Sequence, residues 1–178
     1  MKKNLFALAG SLLILCVLTG RYLSDYGTAR TGIPLLLPVW VQEVETDAFS
    51  SWARIHYYNF IPVENLINET GTVVVSRSDD GQVDFVEKST KERLHSHELR
   101  LEYAVIPSSF LSSEEKKLNI RFASSKLRFS NEEKRLLSAV RYAVVHVDDR
   151  GKAVLVGLAD NMGTRLIKNL ALSLSRKP

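Results

Sequence analysis

A run of sixteen residues without a charge, Leu5 to Gly20, limits what the N-terminal part of this chain can form. Arg21 follows it directly. At 1.5 Å per residue, a helix of this length spans about 24 Å, slightly less than the hydrocarbon thickness of a bilayer, which is about 30 Å. The pattern predicts a signal anchor or transmembrane helix over residues 1–23, in contact with the membrane through residues 5–20.

The distribution of positive charge predicts the orientation of this helix. Lys2 and Lys3 precede the apolar run, whereas Arg21 stands alone just after it. Because positively charged flanks are retained in the cytoplasm, we expect the N-terminus there. The rest of the chain would then lie in the periplasm or outside the cell, attached by a single pass to the inner (cytoplasmic) membrane.

Two other fates of the N-terminal segment are open. Gly27-Thr28-Ala29 loosely matches a signal-peptidase site, and cleavage there would release a soluble protein that begins near Arg30. Cys16 would suit lipidation, but Leu15 is bulky where such a site requires a small residue. Since Cys16 is the sole cysteine, a disulfide or thiolate metal site within the remaining chain is excluded.

The composition predicts a single globular domain. The 178 residues are 45% hydrophobic and 25% charged, which is ordinary for a soluble domain and suffices for one sizeable core. The net charge of +4 is mild, and no basic stripe carries interleaved aromatics, so nucleic acid is not an expected partner. We expect a linker over residues 24–32, a β-rich domain over 33–160 and a C-terminal tail over 161–178.

Alternation of apolar and polar side chains predicts most of the domain to be strand. Pro38 points to an edge strand or a bend, because proline lacks the backbone donor of a ladder. Ser78-Asp79-Asp80-Gly81 and Asp148-Asp149-Arg150-Gly151 predict two hairpin turns. The predicted strands are Leu35–Val44, Trp52–Phe60, Gly71–Arg77, Gln82–Val86, Leu99–Val105, Tyr142–Val147 and Lys152–Leu158.

Two segments favour helix. Ser130-Asn131-Glu132-Glu133 has the form of a capping box and predicts a short helix to about Val140, with Leu136, Leu137 and Val140 toward the core. The leucine spacing of the tail fits helix or strand, and we favour helix; residues 108–130 leave the choice open. The fold class is therefore α+β, mainly antiparallel β-sheet with one or two short helices, plus the N-terminal anchor helix.

The order of these elements resembles that of the GDYXXLXY domain family of bacterial membrane-anchored proteins, whose function is uncharacterised. The resemblance is carried by the Leu-Pro-Val strand, an aromatic strand, LRLEYAVIPSSF and the hairpin VHVDDRGKAVLVGL. It implies that the Gly-Asp of the motif is replaced here by two serines. The motif positions are Ser50, Ser51, Trp52, Ile55, Tyr57 and, in the later strand, Tyr103.

Candidate chemistry is sparse. An envelope hydrolase could use Ser51 and His56 with a remote carboxylate, but no motif fixes them, and serine in a connection is usually a turn former. His95 and His97 could bind a metal on one strand face with His56, His146 or a carboxylate, although nothing fixes a third ligand. We expect no catalytic residue, cofactor or metal ligand.

The aromatic residues leave a binding face as an alternative to a core. Trp40, Trp52, Tyr57 and Tyr58 stand at strand spacing, which core packing also explains. The anchor and the lack of a catalytic set favour a non-catalytic accessory or interaction module for another envelope membrane protein. The sequence leaves the ligand, the partner and the oligomeric state open.

Overall fold

The structure is a computed structural model that describes residues 2–47, 49–58, 60–62, 69–88, 93–106, 119–169 and 172. Helix α1 covers Lys2–Thr31, and a 3-10 helix covers Asn131–Ala139. The strands are β1 Ile33–Thr46, β2 Ser50–Tyr57, β3 Thr70–Arg77, β4 Val83–Lys88, β5 Glu98–Ile106, β6 Asn119–Arg121, β7 Lys126–Ser130, β8 Tyr142–Val147, β9 Ala153–Ala159 and β10 Arg165–Lys168. The α+β class with mainly antiparallel sheet is confirmed.

The strands form two sheets that pack as a sandwich. The larger sheet has the order β10-β9-β8-β1-β2-β7, and the smaller has the order β4-β3-β5-β6. Side chains from both sheets form one apolar cluster, which removes their surface from water and supplies the main stabilisation of the fold. Its most deeply buried members are Leu35, Leu37, Val73, Val75, Leu101, Leu127, Phe129, Val145, Leu155, Leu158 and Ile167.

Strand β1 joins the two halves of the larger sheet. Its first part, Ile33–Pro38, pairs with β8, and from Val39 onward it pairs with β2. Pro38 marks the change of partner, and its carbonyl accepts a hydrogen bond from the backbone N–H of Tyr58 at 3.0 Å. A proline is tolerated here because one ladder ends where the other begins.

The two predicted hairpin turns are confirmed. Gly81 and Gly151 have φ values of 88° and 99°, a backbone region that glycine enters without strain. Each turn also reaches the opposite sheet: the carbonyl of Gly81 accepts from Leu36 N–H, and that of Gly151 accepts from Glu102 N–H, both at 2.8 Å. The turns therefore tie the two sheets together.

The C-terminal tail begins with a third hairpin. Asp160 N–H donates to Thr164, and Gly163 has a φ of 75°. Strand β10 then pairs with β9, and Ile167 points into the core while Lys168 is exposed. The helix predicted for this tail is thus wrong at β10, because the turn returns the chain to a sheet edge. Residues 170–171 and 173–178 lie outside the described residues.

The predicted linker is helical up to Thr31, so that prediction is also wrong. The side chain of Thr28 is buried and donates to Asp148 at 3.4 Å. Lys152 Nζ lies 2.5 Å from the Asp25 carboxylate and 3.1 Å from the Ser24 hydroxyl. These contacts with the β8–β9 turn hold the last two turns of α1 on the sheet, which a polar composition alone does not reveal.

The junction between α1 and β1 is a single residue. Gly32 N–H donates to the carbonyl of Thr28 at 2.8 Å, which closes the helix. A Cβ on Gly32 would lie 2.6 Å from that carbonyl oxygen and 3.0 Å from the carbonyl oxygen of Val147, so a side chain does not fit. The helix therefore passes directly into the sheet.

The capping box is confirmed at Ser130, whose backbone N–H donates to the Glu133 carboxylate at 2.9 Å. The helix that follows is a 3-10 helix and ends before Val140, which is buried. Leu136 and Leu137 are half-buried against the core, as predicted.

The first part of α1 stands away from the sandwich. Seven large apolar side chains between Leu12 and Leu23 are each 59% to 67% exposed. Four of them, at positions 12 to 15, are consecutive and so cover a full turn of the helix. Within the described part of the chain, no helix combines the length and mean hydropathy of a membrane-spanning segment.

Candidate functional site

Three of the family-motif positions lie in the core. Ile55, Tyr57 and Tyr103 are 2%, 8% and 4% exposed. The Tyr57 hydroxyl donates to the carbonyl of Ser124 at 2.9 Å, and its ring meets Phe122 edge-on with centroids 5.8 Å apart. Burial raises the pKa of Tyr57, so this phenol stays protonated. These residues pack the sandwich.

Ser50 organises the turn between β1 and β2. Its backbone N–H donates to Asp47 Oδ1 at 2.6 Å and its hydroxyl to Asp47 Oδ2 at 3.0 Å. The backbone amide of Phe49 and then that of Ser50 lower the pKa of Asp47, because both stabilise the carboxylate. Arg128 Nε donates to the Ser50 hydroxyl at 2.8 Å. The hydroxyl is therefore engaged in a turn network.

The structure does not bring Ser51 and His56 together. Ser51 is fully buried, and its hydroxyl lies 2.7 Å from Asn131 Oδ1 and 3.2 Å from the Thr46 hydroxyl. His56 lies five positions further along β2, on the opposite face, which places it about 16 Å away. A base must be within hydrogen-bond reach of its nucleophile, so the hydrolase alternative has no assembled site here.

The histidine metal site that the sequence left as an alternative is likewise not assembled. The rings of His95 and His97 are stacked, with centroids 5.9 Å apart. Among the described residues, no group of three or more His, Cys, Asp or Glu side chains is placed to hold a metal ion. The pair thus gains no third ligand from the rest of the described chain.

An aromatic and cationic surface covers the outer face of β1, β2 and β7. We call it the open face, and it consists of Trp40, Gln42, Trp52, Arg54, His56, Tyr58 and Arg128. Trp40 and Tyr58 are 46% and 53% exposed. The Trp40 ring stacks on His56 with centroids 4.0 Å apart, and the Arg128 guanidinium lies 5.8 Å from the Trp52 ring centroid. These contacts fix the positions of both tryptophan rings relative to their neighbours on the adjacent strands.

Strand alternation and register create this surface. In β2, Ala53 and Ile55 point inward, so Trp52, Arg54 and His56 must point outward. The register places Trp40 beside His56, Gln42 beside Arg54, and Arg128 beside Trp52. The alternation predicted this outer face, although it could not show that the face stays uncovered. Of the four aromatic residues considered for a binding face, Tyr57 belongs to the core.

His56 is neutral under its tryptophan. Burial lowers the pKa of His56, and the positive charge of Arg54 lowers it further. Its Nε2 is buried without a hydrogen-bond partner within the described structure. The charge of the open face near neutral pH therefore comes from the guanidinium groups of Arg54 and Arg128 and from the ammonium group of Lys126, which pairs with Arg54 on the same face. Aromatic rings beside guanidinium groups can bind carboxylates and planar groups at once.

A cleft of about 980 Å³ opens on another side of the molecule, beside α1. Buried Tyr103, Phe122 and Leu155 form its floor. Its wider lining comprises Arg21, Tyr22 and Asp25 of α1, residues 70–72, Glu102 and Ala104, residues 121–126, Lys152 and Asn169. Sequence reasoning missed this cleft because six separate segments of the chain build it, and the one local signal was Arg21 at the end of the apolar run.

Comparisons of the chain with protein-family models, with curated proteins and with solved structures find no match. Membership of the GDYXXLXY domain family therefore stays a prediction. Apart from Trp52, which lies on the open face, the motif positions contribute packing and turn geometry. Within the described chain, the open face and the cleft are therefore the surfaces considered for binding.

Proposed function

We propose that this protein is a membrane-anchored, extracytoplasmic interaction module that binds another envelope membrane protein and has no catalytic role. The observation that carries the proposal is the open face. Both tryptophans of the chain lie there with two arginines, on a half of the sheet that no described segment covers. Trp, Tyr and Arg are the residues that most often dominate binding energy at protein interfaces.

The chemistry of the open face favours a partner segment that carries a carboxylate together with an apolar side chain able to pack on a tryptophan ring. Arg54 and Arg128 supply positive charge, and Asp47, at 3.9 Å from Arg128, is the described carboxylate at its rim. A partner carboxylate would pair with Arg54, while an apolar side chain would pack on Trp40 or Trp52. Burying ring surface supplies affinity, and the guanidinium groups supply orientation.

The apolar part of α1 supports the membrane anchor. Exposed leucines around the whole circumference of a helix are unfavourable in water, because apolar surface is stable only against other apolar groups. The bilayer provides that surrounding for the run Leu5–Gly20, with Lys2 and Lys3 on the cytoplasmic side. The sandwich would then lie in the periplasm or outside the cell.

Packing of the last helical turns supports retention of α1 over cleavage. The Gly27-Thr28-Ala29 site lies inside α1, and Thr28 is 6% exposed. Ala29 packs against the buried cluster of Leu36 and Val144. Cleavage near Arg30 would remove a helix that covers part of the sheet, so the folded protein protects this site.

The open face is tested by photo-cross-linking in intact cells. A photoreactive residue at position 42, in the middle of the face, should give one reproducible adduct with a membrane protein. Arg54→Glu should abolish that adduct because it reverses the charge that the partner meets, whereas Arg54→Lys should retain most of it.

The matched control places the photoreactive residue at exposed position 135 on the 3-10 helix. We expect no adduct from this position. Adducts of the same protein from both positions, or an adduct from position 42 that Arg54→Glu leaves unchanged, would remove the open face as the binding surface.

The anchor is tested separately by alkaline extraction of membranes. The wild-type chain should stay in the membrane pellet, and Leu13→Arg together with Leu15→Arg should release it, since each arginine costs about 3 kcal/mol at the centre of a span. External protease should cleave the sandwich only after the outer membrane or wall is opened. Extraction of the wild-type chain by alkali would refute the anchor.

A further inference from the structure

The cleft beside α1 begins where the apolar run ends. Arg21 and Asp25 both line it, and Arg21 is the first residue after the run. Four helical residues rise about 6 Å, which matches the roughly 5 to 7 Å that the headgroup layer adds on each side of a bilayer. If α1 is the proposed membrane anchor, the cleft therefore opens into the headgroup layer.

The cleft is lined by more positive than negative charge. Its described lining contains three cationic side chains, Arg21, Arg121 and Lys152, and two carboxylates, Asp25 and Glu102. Lys126 also borders the cleft, but its pairing with Arg54 directs its side chain to the open face. Lys152 already pairs with Asp25 at 2.5 Å. The remaining lining sets two cations against one carboxylate, so the cleft favours an anion.

The cleft also has polar and apolar walls in the arrangement that an amphipathic ligand requires. Ser124 and Ser125 stand between Arg121 and Lys126 in sequence, at the corner that leads into β7. Opposite this corner, exposed Thr70 begins β3. Buried Phe122 and Leu155 lie beneath. Hydroxyl and cationic groups suit phosphate oxygens, and the apolar floor suits the glycerol and first methylene groups of a lipid.

We propose that this cleft binds the phosphate group of an anionic phospholipid, with Arg21 and Arg121 as its cationic contacts. The inference rests on the proposed membrane anchor, which places the cleft at headgroup depth. Phosphodiester chemistry is shared by lipid headgroups and soluble phosphates. The lipid is the expected source because it is present at this depth at high local concentration.

The test reconstitutes the full chain in nanodiscs of phosphatidylcholine with a minority of phosphatidylglycerol. Native mass spectrometry should find one phosphatidylglycerol retained by the wild-type chain. R21Q with R121Q should lower the retention about 30-fold, because a juxtamembrane cation contributes about 1 kcal/mol to binding of anionic lipid. T70E, which adds a carboxylate at the exposed start of β3, should lower retention in the same direction.

The matched control is R93Q with R135Q, which removes the same charge from two exposed positions outside the cleft. It should retain the lipid as the wild-type chain does. Equal retention by the control and by R21Q with R121Q would overturn the site. Binding of a peptide or protein in the cleft in place of lipid would overturn it as well.

Two further arms separate the sources of phosphate and the two proposals. In detergent, inorganic phosphate and glycerol phosphate should bind far more weakly than phosphatidylglycerol; tight binding of either without lipid retention would overturn the lipid assignment. Flotation of the nanodisc complex reports the anchor. A wild-type chain that fails to float refutes the anchor and the headgroup site together, whereas a floating chain with no preference for phosphatidylglycerol refutes the site alone.

Discussion

The outer face of the larger sheet has two parts, one that α1 covers and one that it does not. Over β8 and β9, the outer side chains are Val144 and Val156, and α1 covers them through Ala29. Over β1 and β2, the same outer face carries exposed Trp40 and half-buried Trp52. The residues change from small aliphatic to large aromatic at the point where the helix no longer covers the sheet.

This difference indicates that the two halves have separate tasks. Aliphatic residues under a helix are explained by packing within the chain. Two tryptophans on the uncovered half are costly to expose and have no described partner segment, so their simplest physical explanation is a surface buried on binding. In the proposed function, one half would hold the sandwich on its anchor, and the other half would present it to a partner.

The largest expected effect on the free energy of unfolding comes from a substitution in the half of the sheet that α1 covers. Val144→Asp places a charge under α1, where Val144 is 5% exposed, and should lower the free energy of unfolding by about 3 kcal/mol or more. The matched control is Gln42→Asp on the open face, which should change it by no more than about 0.5 kcal/mol. Urea unfolding in detergent, followed by tryptophan fluorescence, measures both. Equal losses would show that the halves do not differ.

A smaller effect comes from the histidine under α1. Burial, followed by the charge of Arg165, lowers the pKa of His146, and a hydrogen bond with the backbone of Ala29 opposes both. The unfolded chain therefore binds the proton more readily. Stability should be full above pH 6.5 and should fall as the pH decreases below it. His146→Gln should reduce this slope in urea unfolding from pH 8 to pH 5, and an unchanged slope would contradict the role of His146.

The contact between Lys152 and Asp25 should contribute less. Both side chains are about one third exposed, so solvent screens their attraction. A double-mutant cycle of Lys152→Ala and Asp25→Ala should give a coupling free energy of about 0.5 to 1 kcal/mol. A coupling near zero would show that Thr28 and Ala29 hold α1 without this pair.

The last prediction concerns the open face, where the expected change is in the pKa of His56 and the effect on stability should be the smallest of the four. Trp40→Ala removes the ring that shields the imidazole, so the pKa of His56 should rise toward 6.5. NMR titration of the imidazole measures this change. His146 in the same sample is the internal control, because its surroundings under α1 should not change.

Local pattern predicted much of the fold. Asp80-Gly81 and Arg150-Gly151 each require a turn that the structure confirms through positive φ at the glycine. The third turn, at Asp160 and Gly163, has the same spacing from acidic residue to glycine as the turn at Asp148. The spacing of the leucines that follow fits the period of a helix and the period of a strand equally well, and only pairing with β9 shows that the segment is a strand.

The surfaces were less predictable. The register of β1 and β2 follows from alternation, so the outward direction of Trp52 and Arg54 could be read from the sequence. Whether a face is covered depends on α1 turning back over β8, which is a contact between residues about 120 positions apart. No local propensity encodes that contact. The cleft could not be predicted for the same reason, because residues far apart in the sequence build it.

The one-residue junction at Gly32 has a mechanical consequence. A flexible tether would let the sandwich turn freely above the membrane, but here the helix backbone continues into β1 and is held by the β8–β9 turn. Any rotation of α1 is therefore passed to the sheet. Removing one residue before Gly32 would rotate the apolar helix by about 100° relative to the sandwich. If α1 serves as the proposed anchor, its rotation in the bilayer would thus set the direction in which the open face points along the membrane.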